Sequence, residues 1–587
     1  MSATKTLRAA ALATIFFIAS APISRPMAFE RLEQKSSIPG AALWDEQAWN
    51  DFYSLSQGSR LIPWDWIKAL KQADGQPFLA DGLVRYGYLA NPESATPGLP
   101  VGFVVADGVL GPTCSACHTR QIEVEGKSYR IDGGPALADI GTLWADLDTA
   151  VSKILGEPTA FLEFAKAVLG SGYDPQKEVK LRAEAELWYA RHHAITDKGL
   201  PKDKPWGAGR IDAVGMILNR VTGLDIGPGP THLIVENIRK ADAPVRPPFL
   251  WNAPRQDHTQ WPGFADNGDR ILAMARNVGQ VYGVFGEFFP EKDASHLLGF
   301  NYVKANSVDF KGLIDLERLV ERIGPPKWPW PVDMTLAAQG KLIYERPYEE
   351  GGCADCHGID RGQPRLLNPD TWCTPVQDVG TDAREYQYFA PDWKVDTGAL
   401  TGAFIPFVSQ PLDRKDAPVS VLATAVRGAI LQHFIPVTVN ALERKKADVA
   451  LAILQPLIEE LKGVYKIPGT PGAGRWACRR APETEGKIKY EARVLEGIWA
   501  AAPYLHNASA PSLAELLKPP QSRVADFKVG PAYDISTVGL AVEQPKSTFL
   551  MKTDCNRGSG VSHCGHDYGT ALSDGEKRAL LEYLKTL

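Results

Sequence analysis

One five-residue motif, present twice, constrains this 587-residue chain more than any other feature. The pattern Cys-x-x-Cys-His occurs at Cys114–His118 and again at Cys353–His357. It is the attachment pattern of c-type haem, in which two thiols bind the porphyrin and the histidine binds the iron. A zinc site needs four clustered ligands, and a redox Cys-x-x-Cys pair needs no following histidine. We therefore predict two covalent haems, attached at Cys114, Cys117, Cys353 and Cys356, with His118 and His357 as iron ligands.

The N-terminus has the pattern of a secretory signal peptide. Lys5 and Arg8 precede an apolar run over residues 9–21, which is too short to span a membrane. Small residues recur over 20–28, so we expect cleavage there; an uncleaved membrane anchor is the alternative. The mature chain is then expected in the periplasm or secreted, without a transmembrane segment, which agrees with haem attachment outside the bacterial inner membrane.

The charge of the mature chain argues against binding to nucleic acid. Removing residues 1–28 deletes three basic residues and no acidic one, which takes the formal net charge from −5 to −8. The remaining basic residues are scattered, whereas nucleic-acid binding needs a basic face. With 44% hydrophobic residues the chain can bury a substantial core.

Four further cysteines remain after haem attachment, and an oxidising compartment would let them form two disulfides. They are Cys373, Cys478, Cys555 and Cys564, which allow three pairings. Cys555 and Cys564 flank a short polar loop, so we favour that pair together with Cys373–Cys478. Buried free thiols are the alternative.

The chain divides into two predicted domains at the segment Pro325–Pro331, whose prolines cannot continue a helix. Residues 29–330 would form an N-terminal haem domain with a substrate-pocket insertion, and residues 331–587 a C-terminal cytochrome c-like haem domain. In the second domain, an amphipathic helix over 336–344 precedes the motif, and a helix over 572–587 with a capping box closes the chain. The predicted fold class is mainly α, with two cytochrome c-like haem domains and long loop-rich insertions.

The sixth iron ligand decides what each haem can do, since a second strong ligand makes an electron carrier and an open position makes a reaction site. None of the six methionines lies in an obvious ligand loop, so we seek the ligand among the other histidines. His566 stands out because Gly565 and Gly569 allow close backbone approach around it. The predicted metal ligands are His118, His357 and His566, with His506 and His433 as the next candidates.

The region between the motifs is rich in aromatic residues. For any single ring, core packing is the ordinary explanation, but as a group the rings could line an apolar cavity beside an open haem. From this region we select Phe285, Trp251 and Arg276 as candidate catalytic residues. Arg276 would bind a haem propionate or cap a helix, and His258 is a possible distal acid–base group in a polar stretch that favours exposure.

The segment Gly497-Ile-Trp-Ala-Ala-Ala-Pro-Tyr-Leu-His-Asn507, with two haem motifs on an exported chain, resembles the bacterial di-haem cytochrome c peroxidase superfamily. Leu505 stands where those peroxidases commonly have a methionine ligand. The chain is more similar to the branch of rubber oxygenases and related fatty-acid dioxygenases. The segments that carry this similarity are Leu99-Pro-Val-Gly-Phe103, Arg130-Ile-Asp-Gly-Gly-Pro135, Gly209-Arg-Ile-Asp212, Ala275–Phe285 and Gly565-His-Asp-Tyr-Gly569.

The resemblance implies that His566 is the partner of His357 and that the haem of His118 is the reaction centre. It implies a periplasmic di-haem c-type oxidoreductase, an oxygen-dependent dioxygenase acting on an unsaturated apolar substrate such as a fatty acid or polyisoprenoid. Its partners would be molecular oxygen, an apolar small-molecule or polymer substrate and a possible redox protein donor, with calcium as a possible further cofactor. The alternatives are a di-haem peroxidase that reduces hydrogen peroxide with an external electron donor, and a non-catalytic electron carrier, which would not need so long a chain.

Overall fold

The computed structural model describes residues 29–296, 298–434, 455–465, 478, 480–481, 484 and 486–587. The predicted signal peptide over 1–28 lies outside the described residues. Within those ranges, no helix is both long enough and apolar enough to cross a membrane.

Helices of very different length carry and surround the two motifs. The described helices are Glu46–Ser54 (α1), Trp64–Ala69 (α2), Cys114–Cys117 (α3), Ile140–Gly156 (α4), Pro158–Leu169 (α5), Pro175–Lys198 (α6), Ala213–Arg220 (α7), Arg270–Gly283 (α8), Phe310–Val320 (α9), Met334–Tyr344 (α10), Ala354–His357 (α11), Pro418–Phe434 (α12), Gln455–Leu461 (α13), Leu513–Leu516 (α14) and Asp574–Leu584 (α15). Each haem motif therefore contains a single helical turn, α3 or α11.

Short strands lie between the helices. The described strands are Phe29–Arg31 (β1), Ile62–Pro63 (β2), Phe103–Ala106 (β3), Val109–Pro112 (β4), Thr119–Val124 (β5), Lys127–Asp132 (β6), His258–Thr259 (β7), Ala265–Asp266 (β8), Glu291–Lys292 (β9), Phe300–Asn301 (β10), Val376–Gln377 (β11), Val395–Asp396 (β12), Lys415–Asp416 (β13), Tyr490–Glu491 (β14), Asp526–Lys528 (β15), Tyr533–Asp534 (β16), Gly539–Leu540 (β17) and Leu550–Lys552 (β18). One three-stranded sheet has the order β1-β6-β5 and another β2-β4-β3; the other described strands pair two by two.

The expectation of a mainly α fold is wrong, because helices account for 37% of the structure and strands for 14%. Many of the strands are two-residue pairings between loops, such as β11 with β14. Segments this short leave no alternating pattern in the sequence, so sequence analysis predicts loops where the structure has strands. A longer ladder, β5 with β6, turns at Glu125-Gly126, where φ angles of +49° and +80° suit a tight hairpin.

The first motif lies between the two three-stranded sheets, since β4 ends just before Cys114 and β5 begins directly after His118. The backbone of Gly102 approaches α3 closely. Its carbonyl accepts a hydrogen bond of 2.7 Å from the Thr113 N–H, and a Cβ there would stand 2.0 Å from the Ala116 nitrogen. The glycine of the Leu99–Phe103 segment is therefore required by packing against the motif.

The two helices predicted around the second motif are present as α10 and α15. Ser573 and Glu576 form the predicted capping box at the start of α15. The helices cross at close range, because a Cβ on Gly340 would stand 2.0 Å from the Ala579 carbonyl oxygen. This pairing packs the end of the chain against the helix that leads to Cys353.

Two clusters of buried apolar side chains form the core. The larger contains residues from both sides of the predicted boundary at 330, among them Trp251, Tyr388 and Trp499. The smaller lies around Trp144 and Phe285. The division into domains at residues 330 and 331 stays a prediction.

The favoured disulfide pairing is confirmed, since Cys373 is bonded to Cys478 and Cys555 to Cys564. Among the described residues, the thiols that remain free are those of Cys114, Cys117, Cys353 and Cys356. The pairing therefore leaves the haem-motif thiols available for attachment.

Replacing Gly102 by alanine is expected to destabilise the protein far more than replacing Gly98. Both residues have left-handed backbone, with φ of +77° and +87°, but a Cβ on Gly98 meets nothing within 4 Å. Gly98→Ala should therefore lower the free energy of unfolding only by the conformational cost of left-handed backbone, about 1–2 kcal/mol. Gly102→Ala must also displace α3 and should lower it further. Denaturant titration measures both losses, and equal losses would show that the approach to α3 is unimportant.

Candidate functional site

The second motif holds its histidine in a defined orientation. His357 Nδ1 donates a hydrogen bond of 2.8 Å to the backbone carbonyl of Arg493. Since Nδ1 then carries the proton, Nε2 has a free lone pair with which to bind a metal. The Tyr344 hydroxyl donates to the His357 carbonyl at 3.0 Å and connects the motif to α10.

The imidazole of His566 faces that of His357, with ring centres 6.2 Å apart and ring planes at 43°. Two imidazoles on opposite sides of one iron are separated by about 6.3 Å, from two metal–nitrogen bonds of about 2.0 Å and about 1.15 Å from each nitrogen to its ring centre. The observed spacing therefore fits one iron between His357 and His566.

Local backbone conformation brings His566 to this position. Gly565 has φ of +84°, and a Cβ there would stand 2.3 Å from the Gly380 carbonyl carbon. His566 itself has φ of +53°, and its N–H donates to the Val379 carbonyl at 2.7 Å. The glycine before His566, which drew attention to this residue in the sequence, is thus needed for close approach to the 379–380 backbone.

A cavity encloses the second motif. It contains about 1310 Å³ of space between atoms, including open solvent at its mouth, and its walls include Cys353, Cys356, His357 and His566. The apolar residues of its wall include Phe249, Trp261, Leu495, Ile498, Leu505, Leu513, Leu516, Leu517, Leu580 and Leu584. The second attachment site therefore opens into a mainly apolar cavity, which suits a porphyrin.

Two buried arginines line the same cavity. Arg246 Nη1 and Arg493 Nε are buried without a hydrogen-bond partner, and burial together with repulsion from Arg493 lowers the pKa of Arg246 to about 9. Burial also raises the pKa of the neighbouring Glu491 carboxyl to about 7. Arg493 pairs with Glu491 at 3.8 Å, but a buried nitrogen without an acceptor is still costly. The two propionates of a haem would supply acceptors for the nitrogens that lack them. These arginines therefore fit a bound haem.

His506, the next ligand candidate, lines this cavity too. Its ring stacks on Tyr490 with centres 3.9 Å apart, and burial lowers its pKa to about 3. His433 instead stacks on Phe310 at 3.9 Å. Of the three candidate histidines, His566 is the one whose ring faces His357.

The first motif has a different environment. His118 Nδ1 is buried without a hydrogen-bond partner, and burial lowers the pKa of the imidazole to about 4. In the part of the chain that the structure describes, no aromatic or imidazole ring packs against His118, in contrast to the His357–His566 pair.

Arg276 lies in α8, near the first motif. Its guanidinium pairs with Glu317 at 2.6 Å and also donates to Asn277 at 3.2 Å. Burial raises the pKa of Cys114 to about 12, and the charges of Glu317 and Arg276 act on it in opposite directions. Arg276 is therefore a fixed buried charge beside the first attachment site, and its guanidinium is already bound by Glu317 and Asn277.

The other two candidate catalytic residues lie in different buried clusters. Trp251 stacks on Phe249 with centres 4.6 Å apart, and its Nε1 donates to the Glu496 carbonyl at 2.7 Å. Phe285 packs against Trp144 at 4.8 Å and under the Arg220 guanidinium at 4.7 Å. The fold does not gather Trp251 and Phe285 at one place.

The expected exposure of His258 is wrong, since this residue is buried. Its Nδ1 lies 2.9 Å from Asp257 and its Nε2 lies 3.7 Å from Asp266. Burial opposes protonation of the ring, but the two carboxylates outweigh it and raise the pKa. Polar neighbours in the sequence reflect a buried ion cluster here rather than a surface.

Sequence analysis missed the residue that orients His357. The carbonyl of Arg493 accepts the hydrogen bond from His357. The side chain of Arg493 donates from Nη2 to the Phe249 carbonyl at 3.0 Å and lies 4.5 Å above the Phe249 ring. These contacts use mainly backbone carbonyls, which no residue pattern marks in a sequence.

Residues 489–528 match a family model described as RoxA-like, cytochrome c-like. The chain is 26% identical over 626 aligned positions to the uncharacterized protein y4iJ of Sinorhizobium fredii, covering 93% of each chain. It is 35% identical to y4iM of the same organism, over 58% of this chain and 63% of that protein. The family match contains Arg493, Leu505 and His506, which line the second cavity. It supports a relationship to RoxA-related haem cytochromes, and a cytochrome c-like domain implies covalent haem c.

We expect mass spectrometry of the denatured mature protein to show two haem additions. Both motifs have the thiol spacing for haem attachment, although their environments differ. Thioether bonds survive denaturation, so both haems should remain on the denatured chain. Cys114→Ser with Cys117→Ser should leave one addition. A wild-type mass with one haem or none would contradict the assignment.

His566→Ala is expected to convert one haem from low spin to high spin without loss of haem. The reason is that an imidazole is lost from the pair that fits one iron. His563→Ala is the matched control, because this neighbouring ring lies 2.7 Å from the Thr553 hydroxyl instead. Absorption spectra of the two variants measure the change, and an unchanged His566→Ala spectrum would transfer the ligand role to His506.

Proposed function

We propose that this protein is an exported di-haem oxidoreductase that uses molecular oxygen to oxidise an unsaturated apolar substrate, a fatty acid or a polyisoprenoid. The supporting observation is the asymmetry of the two motifs. His357 is faced by His566 at 6.2 Å, whereas no aromatic or imidazole ring of the described residues packs against His118. A haem with two strong ligands transfers electrons, and a haem with an open position can react.

The reaction centre is accordingly assigned to His118. A haem held there would supply an iron able to activate dioxygen. His118 follows Cys117 directly, so its imidazole would bind the iron of a haem attached at Cys114 and Cys117. The pair of Arg276 and Glu317 places fixed charges beside Cys114. Because Arg276 is fully engaged, we assign it to positioning and local electrostatics rather than to contact with substrate.

The His357 site would hold the electron-transferring haem. Arg246 and Arg493 would bind its propionates, since both have buried nitrogens without partners. Arg493 also donates to the carbonyl of Phe249, which lines the same cavity.

The substrate class is supported by the RoxA-like match over residues 489–528. It is also supported by Leu505, an apolar residue of the cavity wall. The peroxidases that the chain resembles commonly have a methionine ligand at this position. The second candidate is reduction of hydrogen peroxide. The facing pair of His357 and His566 supports this candidate, because a low-spin haem held between them could relay electrons from an external donor.

Incubation with isotope-labelled dioxygen should place label in products from an unsaturated fatty acid or polyisoprenoid, without added reductant. A dioxygenase needs an oriented apolar substrate next to the reacting iron, whereas a peroxidase needs peroxide and a proton-transferring group. The variant Cys114→Ser with Cys117→Ser is the control and should form no labelled product. No label in any product, combined with rapid peroxide reduction by a cytochrome donor, would favour the peroxidase.

A further inference from the structure

One buried arginine holds the loop that carries His566. The side chain of Arg523 is almost wholly inaccessible, and the residue is 4% exposed. Nη1 donates to the carbonyls of His563 at 2.7 Å and Gly565 at 2.8 Å. Nη2 donates to the carbonyls of His566 at 2.9 Å and Leu516 at 3.0 Å. A single guanidinium thus connects three carbonyls of the loop to the end of α14.

These acceptors suit arginine and no other residue. The planar guanidinium offers donors on two nitrogens at a fixed angle, whereas a lysine ammonium is a compact point charge. All four acceptors are neutral, and within the described ranges no carboxylate lies within ion-pair distance of Arg523. A positive charge is therefore buried against the backbone of His566.

The loop needs such support. Gly565 and His566 both have left-handed backbone, with φ of +84° and +53°. For a residue with a side chain, this conformation costs about 1–2 kcal/mol, and it persists where surrounding contacts enforce it. The disulfide Cys555–Cys564 ties one end of the loop, and Arg523 gathers the carbonyls at the other end.

We propose that Arg523 is the positioning residue of the His566 ligand and that its buried charge raises the reduction potential of the haem between His357 and His566. This inference rests on the ligand pair of the proposed function. It goes beyond that pair by assigning to one residue both the geometry of the sixth ligand and part of the potential.

The effect on potential follows from electrostatics. Ferric iron carries one more positive charge than ferrous iron, so a nearby fixed cation disfavours the oxidised state. Screening is weak in a buried site, and charge and hydrogen bonding around the ligands are known means of tuning haem potentials. Arg523 Nη2 lies 2.9 Å from the His566 carbonyl oxygen, so its charge is close to the proposed ligand.

Two substitutions separate the roles of charge and shape. Arg523→Gln removes both, so the second haem should shift to a lower midpoint potential and become partly high spin. Arg523→Lys keeps the charge but cannot reach carbonyls on both sides, so it should raise the high-spin fraction with a smaller shift in potential. Spectroelectrochemical titration of the full-length di-haem protein measures both quantities.

Arg346→Gln is the matched control. It removes one cation from the same region, but Arg346 is partly exposed and pairs with Glu576 at 2.9 Å, away from the His566 loop. Its spectrum and potentials should stay at wild-type values, and the His118 haem should be unaffected in every variant. A general loss of stability would instead alter both haems together.

The His566 and Arg523 variants test the ligand pair and the role of Arg523 separately. If His566→Ala leaves the spectrum unchanged, the ligand pair is wrong and the role of Arg523 fails with it. If His566→Ala changes the spectrum but both Arg523 variants keep wild-type spin state and potential, only the role of Arg523 is overturned. Should Arg523→Gln fail to fold, Arg523→Lys decides by the same criterion for spin state.

Discussion

The hydrogen bond from His357 to the Arg493 carbonyl is the interaction on which the arrangement of the second motif depends. His357 Nδ1 donates to this carbonyl at 2.8 Å, and the side chain of Arg493 donates to the Phe249 carbonyl at 3.0 Å. Phe249 and Arg493 both line the cavity of the second motif. A segment from each half of the chain therefore meets at this site, and the orientation of His357 depends on their contact.

Buried positive charge is the second constraint, and it explains why the protein should be completed by its cofactor. Arg246 and Arg493 have buried nitrogens that the polypeptide does not satisfy. A buried donor without an acceptor is destabilising, so acceptors supplied by the anionic groups of a bound haem would stabilise the chain. Arg523 also has one buried nitrogen without an acceptor, Nε, but its two Nη atoms donate to four backbone carbonyls.

Local chemistry made part of the site predictable from the sequence. The attachment motifs, the capping box of α15 and the pairing of Cys555 with Cys564 each depend on residues that are close in the chain. The fold class was not predictable, because two-residue strands such as β11 and β14 have no periodic pattern. Arg493 escaped notice because it orients His357 through its carbonyl group, which every residue possesses.

Two motifs with the same spacing acquire different chemistry through what lies opposite each histidine. His566 is separated from His357 by 209 positions in the chain, and its approach depends on the contact between Gly565 and Gly380. No corresponding ring packs against His118 within the described residues, where the charged pair of Arg276 and Glu317 lies nearby instead. The difference between the two sites therefore arises from long-range packing, and the motif sequences alone do not determine it.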